Sequence, residues 1–207
     1  TTMCGRFFVA IDDPEIMAIL RQIESDKREQ ALDLPPIRTG DVRPTDYAAT
    51  IAAIREGSKI KYEQMRWGFT GFDGKGVLIN ARAETVTQKP TFRKPVAENR
   101  CLIPASYYYE WKQSPELKKK IRHIMRDPRA TTVYMAGIYR LEAGEDTARF
   151  VILTKKAAQQ IQDIHDRMPV ILDREQQQQW LSPDADVNGI INQSIDRIEG
   201  LEDIDEL

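Results

Sequence analysis

The feature that most limits the possible folds is a series of segments with the residue types of β-strands, separated by turns. Residues 47–69 predict a strand pair that turns at Glu56 and Gly57. The alternation of polar and apolar residues in KIKYEQMRW supports the second strand of the pair. Three later segments are rich in β-branched and aromatic residues: NRCLIPASYYYEW, TVYMAGIYRLE and TARFVILTK. AGED joins the last two and is typical of a hairpin turn, and MPVIL predicts one more strand. The chain therefore must build a sheet.

Helices are predicted at fewer places. The segment DDPEIMAILRQI follows acidic residues and a proline suited to a helix start, and it carries four apolar residues at helical spacing: Ile16, Ile19, Leu20 and Ile23. KKAAQQIQDIH predicts a short helix, and DREQQQQWL begins with an aspartate suited to an N-cap. Ile191, Ile195 and Ile198 predict one last helix. Together these patterns predict a mixed sheet with peripheral helices.

Length and composition limit the class of protein. The 207 residues, 41% of them hydrophobic and 30% charged, fit one globular domain over residues 1–207. No apolar run approaches the roughly 20 residues of a membrane span, so we expect no membrane contact. Two cysteines are too few for a disulfide framework or a four-cysteine zinc site. We therefore expect a cytoplasmic protein without a bound metal. Nothing in the chain requires a dimer, so we expect a monomer.

The charge distribution leaves nucleic-acid binding open. A net charge of −2 argues against a protein that is basic over its whole surface, but it leaves room for a local basic patch. The segment SPELKKKIRHIMRDPRA is a basic run between two predicted strands. It fits either a solvated surface insertion, with His123 at the surface, or a nucleic-acid contact.

Cys4 lies next to the start of the chain. If Met3 and the residues before it are removed, Cys4 carries both a thiol and an α-amine. An α-amine has a pKa of about 7.7–8.0, so much of it is neutral and nucleophilic at cellular pH. Such an aminothiol either captures an aldehyde, as an imine that closes to a thiazolidine ring, or hydrolyses an amide as an N-terminal nucleophile. A structural role in the core is the alternative.

Asn80, Arg82 and Glu84 are spaced two apart in LINARAET, so in an extended segment all three face one side. Asparagine both donates and accepts hydrogen bonds, and arginine binds a phosphate in bidentate fashion. The same spacing also fits an ordinary polar face of a strand.

Glu110 and His165 are candidates for proton transfer. Glu110 lies among the aromatic residues of YYYEW. If it points inward, desolvation raises its pKa and suits it to general acid catalysis, whereas an outward Glu110 is a solvated residue on an alternating strand. His165, in IHDRMPVI, either transfers protons near neutral pH or caps the end of the predicted helix.

Five motifs resemble those of the SRAP family, the SOS response-associated peptidase-like proteins that cross-link to abasic sites in DNA. They are MCGRF at the start, RWGF at residues 66–69, NARAET at residues 80–85, RCLIPASYYYEW at residues 100–111 and HDRMPVIL at residues 165–172. Each motif is weak alone, but five in the family's order across nearly the whole chain are specific. The resemblance implies an α+β fold with a mixed, largely antiparallel, barrel-like β-sheet and peripheral helices.

The resemblance also implies a reaction. Cys4, once N-terminal, would attack the ring-opened aldehyde of an abasic deoxyribose in single-stranded DNA and form a thiazolidine, with no metal or organic cofactor. Asn80 would position the Cys4 amine and the sugar. Glu110 would move protons during imine formation and ring closure, and His165 would assist sugar opening and β-elimination or reversal.

DNA contacts are expected from cationic and apolar side chains near this site. Four arginines are candidates for phosphate contacts: Arg6, Arg43, Arg82 and Arg93. Trp67, together with Met168 and Pro169, is expected to form an apolar wedge against the bases beside the lesion. Contacts of these two kinds do not distinguish base edges, so we expect little sequence preference.

The residues Thr1, Thr2 and Met3 precede the cysteine, and an acylated Cys4 has no free amine. They are foreign to the natural chain, or a peptidase removes them, or the protein removes them itself. Two other functions stay open. One is a thiol peptidase or amidohydrolase that acts on other chains, with Cys4 as nucleophile and His165 or the amine as base. The other is a DNA-binding module without chemistry.

Overall fold

The structure is a computed structural model that describes residues 4–53 and 60–204. Its strands are β1 (Phe7–Val9), β2 (Gly40–Val42), β3 (Tyr47–Ala53), β4 (Ile60–Trp67), β5 (Phe69–Thr70), β6 (Val77–Leu78), β7 (Asn80–Arg82), β8 (Arg100–Ala105), β9 (Tyr107–Ser114), β10 (Lys119–Arg126), β11 (Val133–Arg140), β12 (Arg149–Lys156), β13 (Arg167–Pro169) and β14 (Glu199–Glu202). Its helices are α1 (Pro14–Glu29), α2 (Pro90–Glu98), α3 (Arg174–Leu181) and α4 (Val187–Gln193), with short 3-10 helices at Ala83–Thr85 and Gln159–Ile161.

The largest sheet closes on itself. Its strands follow the order β11, β8, β3, β4 and β12, and β12 pairs again with β11, so that these five strands form a ring. β7 and β13 are attached to β12. β12 pairs in parallel with β4 and with β7, whereas the other pairings of this sheet are antiparallel. The expected α+β class, with a mixed, largely antiparallel, barrel-like sheet, is confirmed.

A second sheet brings the start of the chain to the middle of the molecule. Its strand order is β14, β10, β9, β1 and β2, so β1 lies between β9 and β2. Phe7 of β1 is opposite Tyr108 of β9 and Val42 of β2. A third sheet is the hairpin of β5 and β6.

Aromatic side chains pack where β1 of the second sheet meets the ring. The Phe7 and Trp67 rings are 5.0 Å apart, and the Trp67 and Phe150 rings stack at 6.2 Å. All three side chains are fully buried. Each such side chain removes about 150–250 Å² from water, so this cluster contributes much of the hydrophobic stabilisation between the two sheets.

Two predicted helices are confirmed with their caps. In α1 the Asp13 carboxylate accepts from the N–H groups of Glu15 and Ile16, and the four predicted isoleucine and leucine side chains are buried. In α3 the Asp173 carboxylate accepts from the N–H of Gln176, whose side chain accepts from the N–H of Asp173. An aspartate at the N-cap satisfies N–H groups that have no partner inside the helix, so these starts were visible in the sequence.

Two other helix predictions were wrong in extent. KKAAQQIQDIH forms only the 3-10 helix Gln159–Ile161. α4 ends at Gln193, so Ile195 and Ile198 follow the helix as buried residues of an extended segment. The Ile195 N–H donates to the Ile171 carbonyl instead of continuing the helix. The predicted turn at Glu56 and Gly57 lies outside the described residues.

The basic segment between the predicted strands is part of the second sheet. Residues of β10 pair with β9 on one side and with β14 on the other. His123 is 8% exposed, so its expected surface position was wrong. The alternation of a strand with neighbours on both sides turns this side chain inward. Among the described residues no helix is long and apolar enough to cross a membrane.

Candidate active site at Cys4

The pairing of β1 with β9 places Cys4 beside Glu110. Cys4 precedes β1 by a short turn, and the Tyr109 N–H donates to the Arg6 carbonyl at 2.9 Å. The Cys4 N–H donates to Glu110 Oε1 at 2.8 Å. The motif at the start of the chain and the YYYEW motif therefore meet at one hydrogen bond, although 106 positions separate them.

Glu110 points inward and is 2% exposed. Burial raises the pKa of its carboxyl group to about 8, even though the N–H of Cys4 donates to it, and the negative charge of Asp166 adds to the increase. A carboxyl group with this pKa exchanges a proton near neutral pH. Of the two orientations considered for Glu110, the structure shows the inward one.

His165 lies on the other side of the Glu110 carboxyl group. Its Nε2 is 3.8 Å from Glu110 Oε2, and its ring is 9% exposed. Its Nδ1 accepts from the Arg167 N–H at 3.1 Å. The buried Nε2 has no hydrogen-bond partner within residues 4–53 and 60–204. The His165 N–H donates to the Ile161 carbonyl, so this residue also closes the preceding 3-10 helix.

The thiol of Cys4 is enclosed by this group of polar residues. Cys4 is 1% exposed, and burial together with the Glu110 charge raises the pKa of its thiol well above the ordinary value. Its φ of 24° is in the left-handed region, which is strained for a residue with a Cβ. The Tyr108 hydroxyl is buried on the Glu110 face of β9 and has no hydrogen-bond partner in the described part of the chain. The site is therefore buried and lined by polar groups.

Asn80 and Arg82 lie on β7, beside β12. Asn80 is opposite Ile152 and Arg82 is opposite Thr154. The Asn80 amide donates to the Ile152 carbonyl at 3.5 Å, a long hydrogen bond that leaves the amide free to form a better one. Arg82 is exposed.

Glu84 and Arg167 form an ion pair at the end of β7. Two nitrogen atoms of the Arg167 guanidinium contact the two Glu84 oxygens, at 2.5 and 2.8 Å. The same guanidinium donates to the Thr154 carbonyl at 2.6 Å. This pair ties the NARAET motif to the HDRMPVIL motif.

The arginines predicted to contact phosphate differ in their freedom. Arg93 is exposed, as is Arg82. Arg6 and Arg43 both contact the Asp41 carboxylate, through Arg6 Nε at 2.6 Å and Arg43 Nη2 at 3.4 Å. Hydrogen bonds from Arg6 are the main cause that lowers the pKa of Asp41. Arg6 is thus held in place, while Arg82 and Arg93 extend into solvent.

The predicted apolar wedge was wrong. Trp67 and Met168 are 0% exposed, and Pro169 is buried as well, so none of the three reaches a base. The Trp67 indole donates to the Ile79 carbonyl at 3.1 Å and packs between Phe7 and Phe150. The strand that carries Trp67 is covered by the second sheet, which the alternation of one strand does not reveal.

The sequence reasoning missed Phe72. It lies in the turn of the β5–β6 hairpin, and its side chain is fully exposed. Val77 and Leu78 beside it are also exposed. An aromatic residue within the glycine-rich segment TGFDGKG was the available signal, since no strand runs through such a turn to cover it.

In residues 4–53 and 60–204 no group of three or more His, Cys, Asp or Glu side chains is placed to hold a metal ion. What the arrangement at Cys4 offers is a nucleophile position with a carboxyl group and an imidazole in contact. The structure joins three of the four predicted catalytic residues directly: Cys4, Glu110 and His165. The role of each stays a prediction.

Known proteins resemble this chain over most of its length. It is 36% identical over 192 residues to "Abasic site processing protein YoqW" of Bacillus subtilis, covering 87% of this chain and 81% of that protein. It is 28% identical over 180 residues to "Abasic site processing protein YedK" of Escherichia coli, covering 86% and 79%. A crystal structure of a protein from Bacteroides thetaiotaomicron shares the fold, with a TM-score of 0.75 and 22% identity over 96% of this chain and 91% of the other.

A family model described as SOS response associated peptidase (SRAP) matches residues 3–202. The match includes every motif on which the sequence resemblance was based, and it includes Cys4, Glu110 and His165. The chain belongs to the SOS response associated peptidase (SRAP) family.

Proposed function

We propose that this protein processes abasic sites in DNA, and that it does so by a covalent bond through Cys4 after the residues before Cys4 are removed. The observation that carries the proposal is the contact of the Cys4 nitrogen with Glu110 at 2.8 Å, with His165 at 3.8 Å on the other carboxyl oxygen. Relatives named abasic site processing proteins support the same substrate.

In the processed protein an amine takes the place of the Cys4 amide nitrogen. The Glu110 carboxylate accepts one proton from the ammonium form and leaves a neutral amine, which attacks the carbon of the sugar aldehyde. Glu110 then returns the proton to the oxygen of the carbinolamine, which departs as water. The regenerated carboxylate takes the remaining N–H proton and leaves a neutral imine. A carboxyl group with a pKa of about 8 before processing is suited to both steps, because its two protonation states are close in free energy.

The thiol completes the ring. Cys4 Sγ adds to the imine carbon, and the thiol proton goes to the imine nitrogen, so amine, thiol and aldehyde become a thiazolidine and one water. The raised pKa of the buried thiol favours the protonated form, which carries the proton that the nitrogen needs. A five-membered ring holds the adduct more firmly than the imine alone, because hydrolysis must first reopen the ring.

His165 is proposed to act on the sugar. Opening of the abasic sugar moves a proton from its hydroxyl to its ring oxygen, and an imidazole beside the reacting carbon shortens that transfer. His165 would also assist β-elimination or reversal, and β-elimination gives a slower lyase reaction. Asn80 would position the amine and the sugar.

The residues before Cys4 would be removed by the protein itself. Attack of Cys4 Sγ on the preceding carbonyl transfers the acyl group from nitrogen to sulfur, and water then hydrolyses the thioester. Glu110, which accepts from the Cys4 N–H at 2.8 Å, is proposed to give the departing nitrogen its proton. The strained φ at Cys4 raises the free energy of the unprocessed chain and so favours this step.

Single-stranded DNA is the proposed partner. Arg82 and Arg93 are exposed for phosphate contacts, and Arg6 and Arg43 lie together at Asp41. Phe72, and not the buried Trp67, is the aromatic residue proposed for base stacking. Its side chain is fully exposed on the hairpin that leads into β7. Stacking on an aromatic ring tolerates any base, so little sequence preference follows.

The test is intact-protein mass spectrometry, alone and after mixing with a single-stranded oligonucleotide that holds one abasic site. We expect loss of the residues before Cys4, and then a mass equal to protein plus DNA minus one water that survives denaturation without a reductant. An intact oligonucleotide is the control for the lesion. If the chain stays unprocessed, the same assay is run on protein released from a fusion with Cys4 as its first residue. Amine release from peptides without DNA would favour the amidohydrolase instead.

A further inference from the structure

We propose that Glu84 is a positioning residue for this reaction, which acts through Arg167 to keep the His165 proton on Nε2. The inference rests on the proposed function for its effect on rate, but its effect on His165 is independent of DNA. Glu84 belongs to the NARAET motif, and the chemistry described above gives it no part.

The ion pair holds Arg167 on two sides. Its guanidinium contacts both Glu84 oxygens, at 2.5 and 2.8 Å, and donates to the Thr154 carbonyl at 2.6 Å. The Arg167 side chain is 12% exposed, so the pair is partly shielded from water. Hydrogen bonds from Arg167 lower the pKa of Glu84, which keeps its charge. A planar guanidinium bound by a two-point contact and a third acceptor has little freedom to rotate.

The backbone of Arg167 sets the proton position in His165. The Arg167 N–H donates to His165 Nδ1 at 3.1 Å, so Nδ1 presents a lone pair. A neutral imidazole with an acceptor at Nδ1 carries its proton on Nε2. That proton lies on the Glu110 side of the ring, where Nε2 is 3.8 Å from Oε2. His165 is then a donor toward the reacting group.

Asp166 favours the opposite arrangement. Its Oδ1 is 3.2 Å from the same Nδ1, and a carboxylate there attracts the proton to Nδ1. The ring would then present a lone pair, not a proton, toward Glu110. The Asp166 side chain is 84% exposed and free to move, whereas Arg167 is held by the pairing of β13 with β12 and by the ion pair of its side chain. Glu84 therefore decides between two competing partners of Nδ1.

The experiment compares Glu84→Gln with Glu199→Gln. Glu199 forms a similar ion pair with Arg126 at 2.6 Å on β14, so its variant loses a half-exposed acid without touching the site. The first readout is the ¹⁵N spectrum of the imidazoles at a pH where they are neutral. Only two histidines are present, and His123 serves as the internal reporter of folding.

We expect the wild type and Glu199→Gln to show His165 with its proton on Nε2. We expect Glu84→Gln to shift His165 toward the Nδ1 form while the His123 signals stay unchanged. An unchanged His165 spectrum in Glu84→Gln, with His123 also unchanged, overturns the inference. This readout holds even if the wild type makes no adduct, an outcome that would refute the proposed function alone.

The second readout is the rate of adduct formation at saturating DNA, with Cys4 as the first residue. We expect Glu84→Gln to be about tenfold slower, since small misplacements of a reacting group have effects of this order. Affinity for the DNA should not fall, because Arg167 is released to contact phosphate. A variant that matches the wild-type rate, or that loses rate only through weaker DNA binding, contradicts a positioning role.

Discussion

The two cysteines are alike in burial and differ in their neighbours. Cys4 is 1% exposed and Cys101 is 0% exposed, and burial raises the pKa of both thiols. In each case a glutamate adds to the increase, Glu110 for Cys4 and Glu63 for Cys101. Neither burial nor thiol acidity therefore distinguishes the two cysteines.

The difference lies in what surrounds each residue. Cys101 is the second residue of β8 and pairs with Ala52 and Gly137 on the two neighbouring strands. Its carbonyl accepts from the Trp180 indole at 3.0 Å. A Cβ on Gly137 would come within 3.0 Å of Cys101 Sγ, so apolar packing fills this space. Cys4, in contrast, has Glu110 at its nitrogen. What sets Cys4 apart is therefore the carboxyl group at its backbone nitrogen.

The strongest test of the comparison exchanges each cysteine for alanine. Cys4→Ala removes the atom that closes the ring, so we expect no adduct that survives denaturation. Cys101→Ala should form the adduct at close to the wild-type rate, because Cys101 lies outside the site. Both are measured by denaturing gel with an abasic oligonucleotide. A stable adduct on Cys4→Ala would mean that another nucleophile reacts.

Glu110→Gln tests the neighbour that distinguishes Cys4. The amide keeps the shape of the carboxyl group but neither gives nor takes a proton. We expect adduct formation to fall by about 10²–10⁴-fold, the usual contribution of a general acid or base. The rate is measured under single-turnover conditions from about pH 6 to about pH 9, a range of about three pH units around the Glu110 pKa. A variant with the wild-type pH profile would remove Glu110 from the mechanism.

Glu110 also predicts a change in stability with pH. Its folded-state pKa of about 8 lies above the ordinary value of 4.5. As pH rises between these values the unfolded chain releases the proton and the folded chain keeps it, so the free energy of unfolding falls and levels off above about pH 8. Glu110→Gln has no proton to release and lacks this loss. At about pH 9 we therefore expect its free energy of unfolding to exceed that of the wild type by a few kcal/mol, at most about 5.

The measurement is urea unfolding of the wild type and Glu110→Gln at two pH values. One is about pH 5, close to the ordinary pKa of 4.5, and the other is about pH 9, roughly one unit above the folded-state pKa. At about pH 5 the wild type has only begun to lose this stabilisation, since the pH is close to the ordinary pKa of 4.5, so the free energies of unfolding of the two proteins should differ little. If the difference in free energy of unfolding between the two proteins is the same at both pH values, Glu110 is not a buried, protonated group.

The smallest effect is expected for the packing of Cys101. Cys101→Ala removes the sulfur that contacts the Gly137 region and leaves a small cavity, which should lower the free energy of unfolding by about 1–2 kcal/mol. Urea unfolding measures it, with the adduct assay as the functional control. A loss of adduct formation without a loss of stability would show that the two cysteine environments are coupled.

Much of the fold was predictable because local patterns agreed with tertiary packing. The α1 helix had its N-cap, its proline and its apolar face in one short segment, and β11 and β12 each had a run of β-branched, aromatic and other apolar residues. β10 escaped notice because lysines and arginines are depleted in strands. Its neighbours β9 and β14 supply the hydrogen bonds that overrule this preference, and β14 lies more than 70 positions further along the chain.

The site was predictable in its residues but not in its geometry. Cys4, Glu110 and His165 stood out by type and motif, yet their contacts depend on pairings between distant segments. Trp67 shows the limit of a single strand's pattern, because the alternation along β4 does not reveal that Phe7 of the second sheet packs on this side chain. Phe72 shows the opposite case, since its exposure follows from a local turn that strand-based reasoning passes over.

The β5–β6 hairpin has a consequence for how this protein can diversify. The chain leaves the side of β12 where Trp67 is opposite Phe150, and it returns where Asn80 is opposite Ile152. Residues 68–79 thus depart and rejoin the same strand two positions apart. The tip of this segment, residues 71–76, can therefore be lengthened, shortened or recoded while β12 keeps its register, because both ends of the segment are held by the same strand.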